Sequence, residues 1–281
     1  MSIAALYRVH NVERMDYPFE QSVRQTLFLC DEICVAAGYS EDNTLEIILN
    51  LQKEFGKDRV KYVQYEFVYN REWQVLAWDK ARKLTKADWL LLVDADEAFH
   101  EQDIPRLKKM LEKTDRQLVN FPMYHFYGTP NFLVTGGHFY KRHTRMGCKG
   151  IKFGMKNFRR DGNLAPVCDV VATLGGREKK VHRYGGPEML QVDIPIYHYG
   201  WVRSAEAMGM RRVKGRAWYT NDKKFFDGHL PELKKRFNYQ MKKNRSVYKN
   251  FKGTHPRFMR SWFEKDPHPK EWDTLRRQAD E

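Results

Sequence analysis

The chain has 281 residues, of which 42% are hydrophobic, so it is long enough to bury the core of one large α/β domain without disulfide staples. Its formal charge of +14 at pH 7 predicts attraction to polyanions such as nucleic acid, anionic glycans or acidic membrane surfaces. No apolar run approaches the roughly 20 residues that span a bilayer, and the N-terminus lacks the basic start and cleavage site of a signal peptide, so we expect a soluble, cytoplasmic protein.

The first half of the chain alternates segments typical of strands and helices. Short apolar runs predict the strands, and amphipathic patterns predict the helices between them. This βαβαβαβ series predicts an α/β fold with a mostly parallel, doubly wound sheet. The expected strands are Ile3–Val9, Glu32–Val35, Val60–Tyr65 and Trp89–Val93, and the expected helices are Phe19–Leu29, Thr44–Phe55 and Trp73–Leu84.

The second half of the chain has a different pattern. A short helix at Ile104–Leu111 and a strand at Gln117–His125 are followed by glycines, aromatic residues and short apolar runs, which predict a small antiparallel region with loops. Helical stretches are expected at Ser204–Tyr219 and Leu230–Tyr248, before a less regular end that begins near Pro256. We therefore expect one domain over residues 1–205 and a basic, aromatic-rich helical appendage over residues 206–281.

The most informative segment is Trp89–Phe99, in which five apolar residues are followed by Asp94, Asp96 and Glu97. An apolar run of this kind predicts a strand buried on both faces, with the acids where the strand ends. Ligands of open α/β sheets bind outside the carboxyl ends of the strands, and two carboxylates separated by one residue can hold a divalent cation against phosphates. An aspartate-rich turn that merely ends the strand is the alternative.

The four cysteines, Cys30, Cys34, Cys148 and Cys168, have neither a Cys-x-x-Cys pair nor zinc-ribbon spacing, which predicts buried thiols in a reducing compartment. The last 76 residues carry 20 Lys and Arg against 10 Asp and Glu, interleaved with aromatic residues. Cations that follow phosphates and rings that stack on bases are typical of a single-stranded nucleic-acid groove. Aromatic residues that pin a helical tail onto a domain would give the same pattern.

Taken in order, four segments resemble the nucleotide-sugar-dependent glycosyltransferases of the GT-A fold, in particular the family 2-like group. The first segment, Tyr7–Glu13, is similar to the family's opening strand, which ends in an Asn-Glu pair. The others are Asp31–Ile47, Lys86–Glu97, which contains the Asp-x-Asp triplet, and Ile194–Trp201, which contains a histidine. The resemblance implies a cation, Mn²⁺ or Mg²⁺, that neutralises the diphosphate of the sugar donor. It implies Asp96 as a metal ligand and Asp94 as a second ligand or a ribose contact. It implies His198 as a third ligand, which would favour manganese, the alternative being a histidine packed among aromatic residues.

The resemblance also implies where the donor lies and which groups act on the acceptor. A general base would be needed for an inverting transfer but not for a retaining one, and the spacing does not decide between its candidates. The expected donor-binding residues are Arg8, Asn11, Glu13, Gly38, Lys80 and Asp94, and the candidate bases are Asp169, Glu178, Glu188 and Asp193.

Two departures from the family pattern bear on the donor. Ala36 and Ala37 precede Gly38 where family members commonly carry an aspartate that recognises uracil, so base recognition must differ or the donor is not a uridine nucleotide. The Arg-Asn pair that often precedes the Asp-x-Asp triplet is absent, and Lys80 or Arg82 would supply the charge for the diphosphate instead.

We therefore expect a metal-dependent transferase that moves a sugar from a nucleotide-diphosphate donor to an acceptor hydroxyl. The acceptor is open: a modified base in DNA, as for some phage enzymes of similar fold, or a lipopolysaccharide, capsule or cell-wall precursor. A non-enzymatic nucleic-acid-binding protein on a decayed transferase scaffold is a further alternative. A sugar nucleotidyltransferase is disfavoured, because Tyr7–Met15 contains none of the glycines of its nucleotide loop.

Overall fold

The structure, a computed structural model, describes residues 1–68, 71–116, 118–135, 142–148, 152–153, 170–174, 177–180, 189–204, 206–211 and 247–265. The first half contains strands β1 (Ile3–Val9), β2 (Glu32–Gly38), β3 (Val60–Tyr65), β4 (Trp89–Leu92) and β5 (Glu97–Phe99), with helices α1 (Phe19–Thr26), α2 (Thr44–Phe55), α3 (Arg71–Arg82) and α4 (Ile104–Lys113). The expected alternation of strands and helices is confirmed.

The remaining strands follow in the second half of the chain. They are β6 (Leu118–Phe121), β7 (Met123–Tyr127), β8 (Thr129–Thr135), β9 (His143–Cys148), β10 (Lys152–Phe153), β11 (Val170–Leu174), β12 (Arg177–Lys180), β13 (Met189–Gln191), β14 (Ile196–Trp201) and β15 (Val247–Asn250), and helix α5 spans Arg257–Lys265.

The described strands form three sheets. The largest has seven strands in the order β13-β6-β9-β4-β1-β2-β3, in which β4, β1, β2 and β3 run parallel and β9 runs antiparallel to both of its neighbours. Alternate residues of β1 and β4 enter two separate core clusters, as expected for strands covered on both faces. The expected mostly parallel, doubly wound sheet is therefore confirmed.

The second sheet has five strands in the order β15-β8-β7-β14-β5, and the third consists of the antiparallel strands β10, β11 and β12. Pairing in the second half is not antiparallel throughout, because β13 runs parallel to β6 and β14 runs parallel to β7. Strand β5 begins only a few residues after β4 ends but belongs to the five-stranded sheet. The acidic turn between them therefore joins the two larger sheets.

The predicted single strand Gln117–His125 is wrong in one respect. It divides at Pro122 into β6 and β7, which lie in different sheets. Proline has no N–H to donate to a ladder, so a strand is easily interrupted at that position. The carbonyl of Pro122 accepts a hydrogen bond from the N–H of Ile196, 2.9 Å away, which places the start of β14 beside the break.

The C-terminal residues that the structure describes pack on the domain. Val247, predicted as helical, pairs with Thr135 as the first residue of β15, in keeping with the strand preference of β-branched residues. Helix α5 follows Pro256, a residue type that suits a helix start, and packs against α1. Most of the predicted helices Ser204–Tyr219 and Leu230–Tyr248 lies outside the described residues, although residues 206–211 are helical.

The cysteines and the helices of the described residues bear on two expectations from composition. Cys30 and Cys34 are buried free thiols, while the side chains of Cys148 and Cys168 lie outside the described residues. Over the ranges that the structure covers, no helix has both the length and the apolar character needed to cross a bilayer.

Candidate active site

The acidic turn after β4 lies at the carboxyl ends of the parallel strands. Strand β1 pairs Leu6 with Leu92, so Arg8 and Asp94, two residues further on, lie side by side. The turn is closed by two hydrogen bonds of 3.0 Å: the N–H of Glu97 donates to the carbonyl of Asp94, and the N–H of Asp94 donates to Oε2 of Glu97. The side chain of Asp94 is 21% exposed, whereas those of Asp96 and Glu97 are buried.

Two arginines neutralise Asp94. Arg8 Nη2 lies 3.5 Å from its Oδ1, and Arg145 Nη2, from the adjacent strand β9, donates to its Oδ2 over 3.0 Å. Burial opposes ionisation of Asp94, but Arg145 and Arg8 lower its pKa to about 2. Arg145 also bonds Glu97, yet burial of this carboxyl raises its pKa to about 8. Asp94 therefore carries its charge at neutral pH in the part of the turn nearest to solvent.

A third arginine reaches Asp96 from beyond β14. The guanidinium of Arg203 is fully buried, bonds Oδ2 of Asp96 and donates to the carbonyl of Met15 over 3.1 Å. It also lies 3.6 Å from the ring centroid of Tyr17. Burial disfavours its charge, but Tyr17 and Asp96 raise the pKa of Arg203 above its ordinary value. One oxygen of Asp96 is thus committed to an internal ion pair.

The other oxygen of Asp96 faces a pair of histidines. Nε2 of His198 lies 3.8 Å from Oδ1 of Asp96, and Nδ1 of His198 lies 2.9 Å from Nδ1 of His125. The strands hold this arrangement, because β14 and β7 pair His198 with His125 in parallel register. Burial lowers the pKa of both imidazoles well below the ordinary value, with Arg211 adding to the effect at His198. Both rings are therefore neutral at pH 7.

The donor set around Asp96 suits a divalent cation. Over the described residues, no group of three or more His, Cys, Asp and Glu side chains is arranged to hold a metal ion. The atoms Oδ1 of Asp96 and Nε2 of His198 nevertheless have the separation of two ligands on one cation, since bonds of about 2.1 Å place such ligands about 3–4 Å apart. Cations of this class complete their coordination with substrate phosphates and water, so two protein ligands suffice. A neutral imidazole beside a carboxylate favours Mn²⁺ over Mg²⁺.

The expected donor-binding residues occupy different positions. Arg8 lies beside Asp94, and its guanidinium is 5.2 Å from the ring centroid of Trp78. Asn11 is buried with a φ of 51°, and its Oδ1 accepts a hydrogen bond from the N–H of Glu41 over 2.8 Å. Its side chain therefore holds the loop after β1. Lys80 lies half-buried on α3, and no described contact joins it to the acidic turn.

Glu13 and Gly38 lie where β1 and β2 end. The carboxylate of Glu13 accepts hydrogen bonds from Asn43, at the start of α2. A Cβ on Gly38 would lie 2.8 Å from Cβ of Phe67, so only glycine leaves room for that ring. Phe67 stacks on His10 at 3.8 Å between ring centroids. Gly38, which follows the position at which the sequence lacks a base-recognising aspartate, is thus bordered by two stacked rings.

The candidate general bases are not gathered at one place. Asp193 is 78% exposed and pairs with Arg106 of α4 over 3.0 Å, and no contact among the described residues joins it to the acidic turn. This ion pair lowers the pKa of Asp193. Glu178 lies in β12, opposite Thr173 of β11. Asp169 and Glu188 lie outside the described residues. The identity of the base stays a prediction.

Sequence reasoning missed Arg145, Arg203, His125 and Arg211. Of these, His125 carried a signal, since it is a polar residue inside the apolar stretch Tyr124–Phe126. Arg203 lies two residues beyond the histidine-bearing segment, in a chain so rich in arginine that its position was not informative. Only the pairing of distant strands brings Arg145 to Asp94.

Comparison with known proteins gives one family match. The family model described as glycosyl transferase family 2 matches residues 19–179, more than half of the chain. The match contains the acidic turn and β9, while His198 and Arg203 lie beyond it. No curated protein matches the sequence.

Two solved structures are similar to the chain at low identity. TarS of S. aureus is 17% identical, with 46% of this chain and 23% of that chain covered and a TM-score of 0.36. Glucosyl-3-phosphoglycerate synthase of Mycobacterium tuberculosis, in a complex with Mn²⁺, uridine diphosphate and glucosyl-3-phosphoglycerate, is 20% identical, with 45% of this chain and 44% of that chain covered and a TM-score of 0.31. The chain thus covers less than half the length of either structure.

Proposed function

Since the chain belongs to glycosyl transferase family 2 and is a glycosyltransferase of the GT-A fold, we propose that it moves a sugar from a nucleotide-diphosphate donor to an acceptor hydroxyl with a divalent cation, Mn²⁺ or Mg²⁺, held by Asp96 and His198. The observation that carries the proposal is the 3.8 Å gap between Oδ1 of Asp96 and Nε2 of His198. Two electron-pair donors that face each other without a hydrogen bond are suited to a cation between them.

The charges around the gap support a diphosphate as the ligand. The carboxylates of Asp94 and Asp96 face the guanidinium groups of Arg8, Arg145 and Arg203 in the described contacts, so their charges are compensated within the protein. A bound cation would add positive charge to a neutralised site and favour an anionic leaving group. Arg8 lies at the more exposed side of the turn, beside Asp94, and would contact the diphosphate directly.

The proposed transfer forms one bond and breaks another. The acceptor oxygen forms a bond to the anomeric carbon, the bond from that carbon to the diphosphate oxygen breaks, and the nucleotide diphosphate leaves with the bonding electrons. Arg8 stabilises the charge that develops on the diphosphate. In an inverting transfer, one of Asp169, Glu178, Glu188 and Asp193 would accept the proton of the hydroxyl. In a retaining transfer the oxygen of the leaving diphosphate would accept this proton, so no such base is needed.

Calorimetry with a panel of nucleotide diphosphates tests the donor site. Binding of UDP, GDP, CDP, ADP and TDP would be measured with Mn²⁺ and with a chelator, for the wild type and for Asp96→Asn. We expect one nucleotide to bind only with Mn²⁺ and the variant to lose this binding, because Asn keeps an oxygen for Arg203 but lacks the charge that holds the cation. The panel includes all bases because no aspartate precedes Gly38.

Asp115→Ala is the matched control, since its side chain is 91% exposed and pairs only with the neighbouring Arg116 among the described contacts. It should bind the nucleotide as the wild type does. Absence of binding to every nucleotide, with and without Mn²⁺, would contradict the proposal and favour a non-enzymatic scaffold instead.

For the acceptor we propose a base in nucleic acid, a modified base in DNA being the candidate. The support is the excess of 20 Lys and Arg over 10 Asp and Glu in residues 206–281. Within the described part of that segment, Lys249, Lys252, Arg257 and Arg260 are exposed, and Phe258 stacks on Phe28 at 5.8 Å. Such a base would have to be extruded from a duplex or presented in a single strand.

Fluorescence anisotropy with labelled single-stranded and duplex DNA tests this acceptor. We expect binding at low salt that weakens steeply as salt rises, because neutralised phosphates release counterions. A lack of measurable affinity at low salt would contradict it and leave lipopolysaccharide, capsule or cell-wall precursors as the acceptors to assay.

A further inference from the structure

The two histidines next to Asp96 are joined by one hydrogen bond. Nδ1 of His125 and Nδ1 of His198 are 2.9 Å apart, a hydrogen-bond distance, so one nitrogen donates and the other accepts. Both rings are buried, at 6% and 8% exposure. The direction of this bond fixes which nitrogen of His198 carries its hydrogen, because the neutral ring has only one.

The distance between Nε2 of His198 and Oδ1 of Asp96 indicates the direction of the hydrogen bond between the two histidines. If Nε2 of His198 carried the hydrogen, it would donate to the carboxylate of Asp96 at about 2.8 Å. The separation is 3.8 Å, which is too long for a hydrogen bond. The ring of His198 therefore presents a lone pair toward Asp96 and carries its hydrogen on Nδ1, from which it donates to His125.

We propose that His125 is a positioning residue that holds His198 in the tautomer able to bind a cation. The inference rests on the proposed cation at Asp96 and His198. An acceptor behind a ligating histidine fixes its tautomer and raises its basicity, and loss of such a partner typically lowers metal affinity about 10–100-fold. With the opposite tautomer, His198 would donate to Asp96 and both ligands would be withdrawn from the cation.

The orientation of the ring has separate supports. A Cβ on Gly200 would lie 2.5 Å from Nε2 of His198, so the imidazole occupies space that only glycine leaves free. The indole of Trp201 packs edge-on against His198 at 5.2 Å between ring centroids. These contacts hold the plane of the ring, whereas His125 determines the position of its hydrogen. The two effects can therefore be separated by experiment.

The direct test is the tautomer of His198 in metal-free protein. Long-range ¹H–¹⁵N correlation spectra of protein labelled at histidine distinguish a protonated ring nitrogen from one with a lone pair, and the spectrum of His198→Ala identifies the signals of His198. We expect Nδ1 to be protonated in the wild type and Nε2 to be protonated in His125→Leu. Protonated Nε2 in the wild type would overturn the inference, whatever the behaviour of the variants.

The second test is the affinity for Mn²⁺ alone, from the electron paramagnetic resonance signal of free Mn²⁺. We expect His125→Leu to bind at least tenfold more weakly than the wild type and His125→Asn to recover most of the loss, because the amide oxygen of Asn replaces the acceptor. Equal losses in Leu and Asn variants that remain folded, or no loss in either, would overturn the inference.

The His198→Ala variant separates the inference from the function on which it rests. If His198→Ala binds Mn²⁺ as the wild type does, the proposed cation site is wrong, while the tautomer spectrum still decides the role of His125. If His198→Ala loses Mn²⁺ but His125→Leu does not, the cation site stands and the positioning role of His125 is overturned.

Discussion

Asp96 and Arg203 are 107 residues apart in the sequence and form an ion pair in the interior of the protein. The pair joins the turn after β4 to the chain beyond β14, and the carbonyl of Met15 provides a further acceptor for the guanidinium. A carboxylate that is fixed by an internal cation presents its second oxygen in one orientation. The ion pair therefore positions Oδ1 of Asp96 toward His198.

Replacement of Arg203 by Met should destabilise the protein by about 3–5 kcal/mol, because it leaves the buried charge of Asp96 without its partner. Urea unfolding of the wild type and Arg203→Met gives this difference. The double variant Arg203→Met with Asp96→Asn should recover part of the loss, since the neutral amide needs no cation. A loss below about 1 kcal/mol in the single variant would mean that the pair contributes as little as an exposed one.

The sequence allowed the first half of the fold to be predicted closely, because local pattern is informative there. Strand Val60–Tyr65 and helix Thr44–Phe55 have the predicted bounds. The turn that carries Asp94 and Asp96 was also found, since acids after a fully apolar run are a local signal. The division of the predicted strand at Pro122 was missed. The residues on both sides of the proline are largely apolar, and this local pattern does not show that β6 and β7 lie in different sheets.

The partners of the acids could not be predicted from local pattern. Arg145 reaches Asp94 only because β9 pairs antiparallel with β4, and Arg203 reaches Asp96 only because β14 lies in the sheet that β5 joins. Such contacts depend on the order of strands in a sheet, which a single sequence does not determine. His198 was named through family resemblance, whereas its contact with His125 required the register of β7 and β14.

Gly200→Ala should weaken Mn²⁺ binding at least tenfold, because a Cβ at this position would displace the ring of His198. The measurement is the same titration of free Mn²⁺. Since the effect acts through His198, Gly200→Ala should cause no further loss in a His198→Ala background. An additional loss in that background would show that Gly200 affects the site by another route.

A chain of hydrogen-bonded, buried hydroxyls contacts the acidic turn at Glu97. The hydroxyl of Tyr7 lies 2.8 Å from Oγ1 of Thr26 and 2.9 Å from Oγ of Ser22, which donates to the carbonyl of Glu97 over 2.6 Å. Ser22→Ala should cost about 1–3 kcal/mol of unfolding free energy, because it leaves buried polar groups without a partner.

Tyr7→Phe tests whether these hydroxyls act as one network. We expect a loss in the same range, and a double variant that loses less than the sum, as measured by urea unfolding. Strictly additive losses would indicate that the two hydroxyls act independently.

The stability of the protein should depend on pH through His255. Its Nδ1 lies 2.9 Å from the hydroxyl of Tyr199, and burial, with His100 and Arg260 nearby, lowers its pKa to about 4. An unfolded histidine has a pKa of about 6.5, so between these values the unfolded chain binds a proton that the folded protein does not. The unfolding free energy should therefore fall as the pH is lowered from about 6.5 to about 4, with up to about 3 kcal/mol from this group.

His255→Asn removes this titration and keeps an acceptor for Tyr199. His125 and His198 contribute to stability in the same direction over this range, and Glu97, whose pKa is raised, contributes in the opposite direction. The informative quantity is therefore the difference between variant and wild type at each pH. The variant should be less stable at pH 7, since its smaller side chain packs less well, and this difference should shrink toward pH 5. A difference that stays constant with pH would show that His255 has the same pKa in the folded and the unfolded protein.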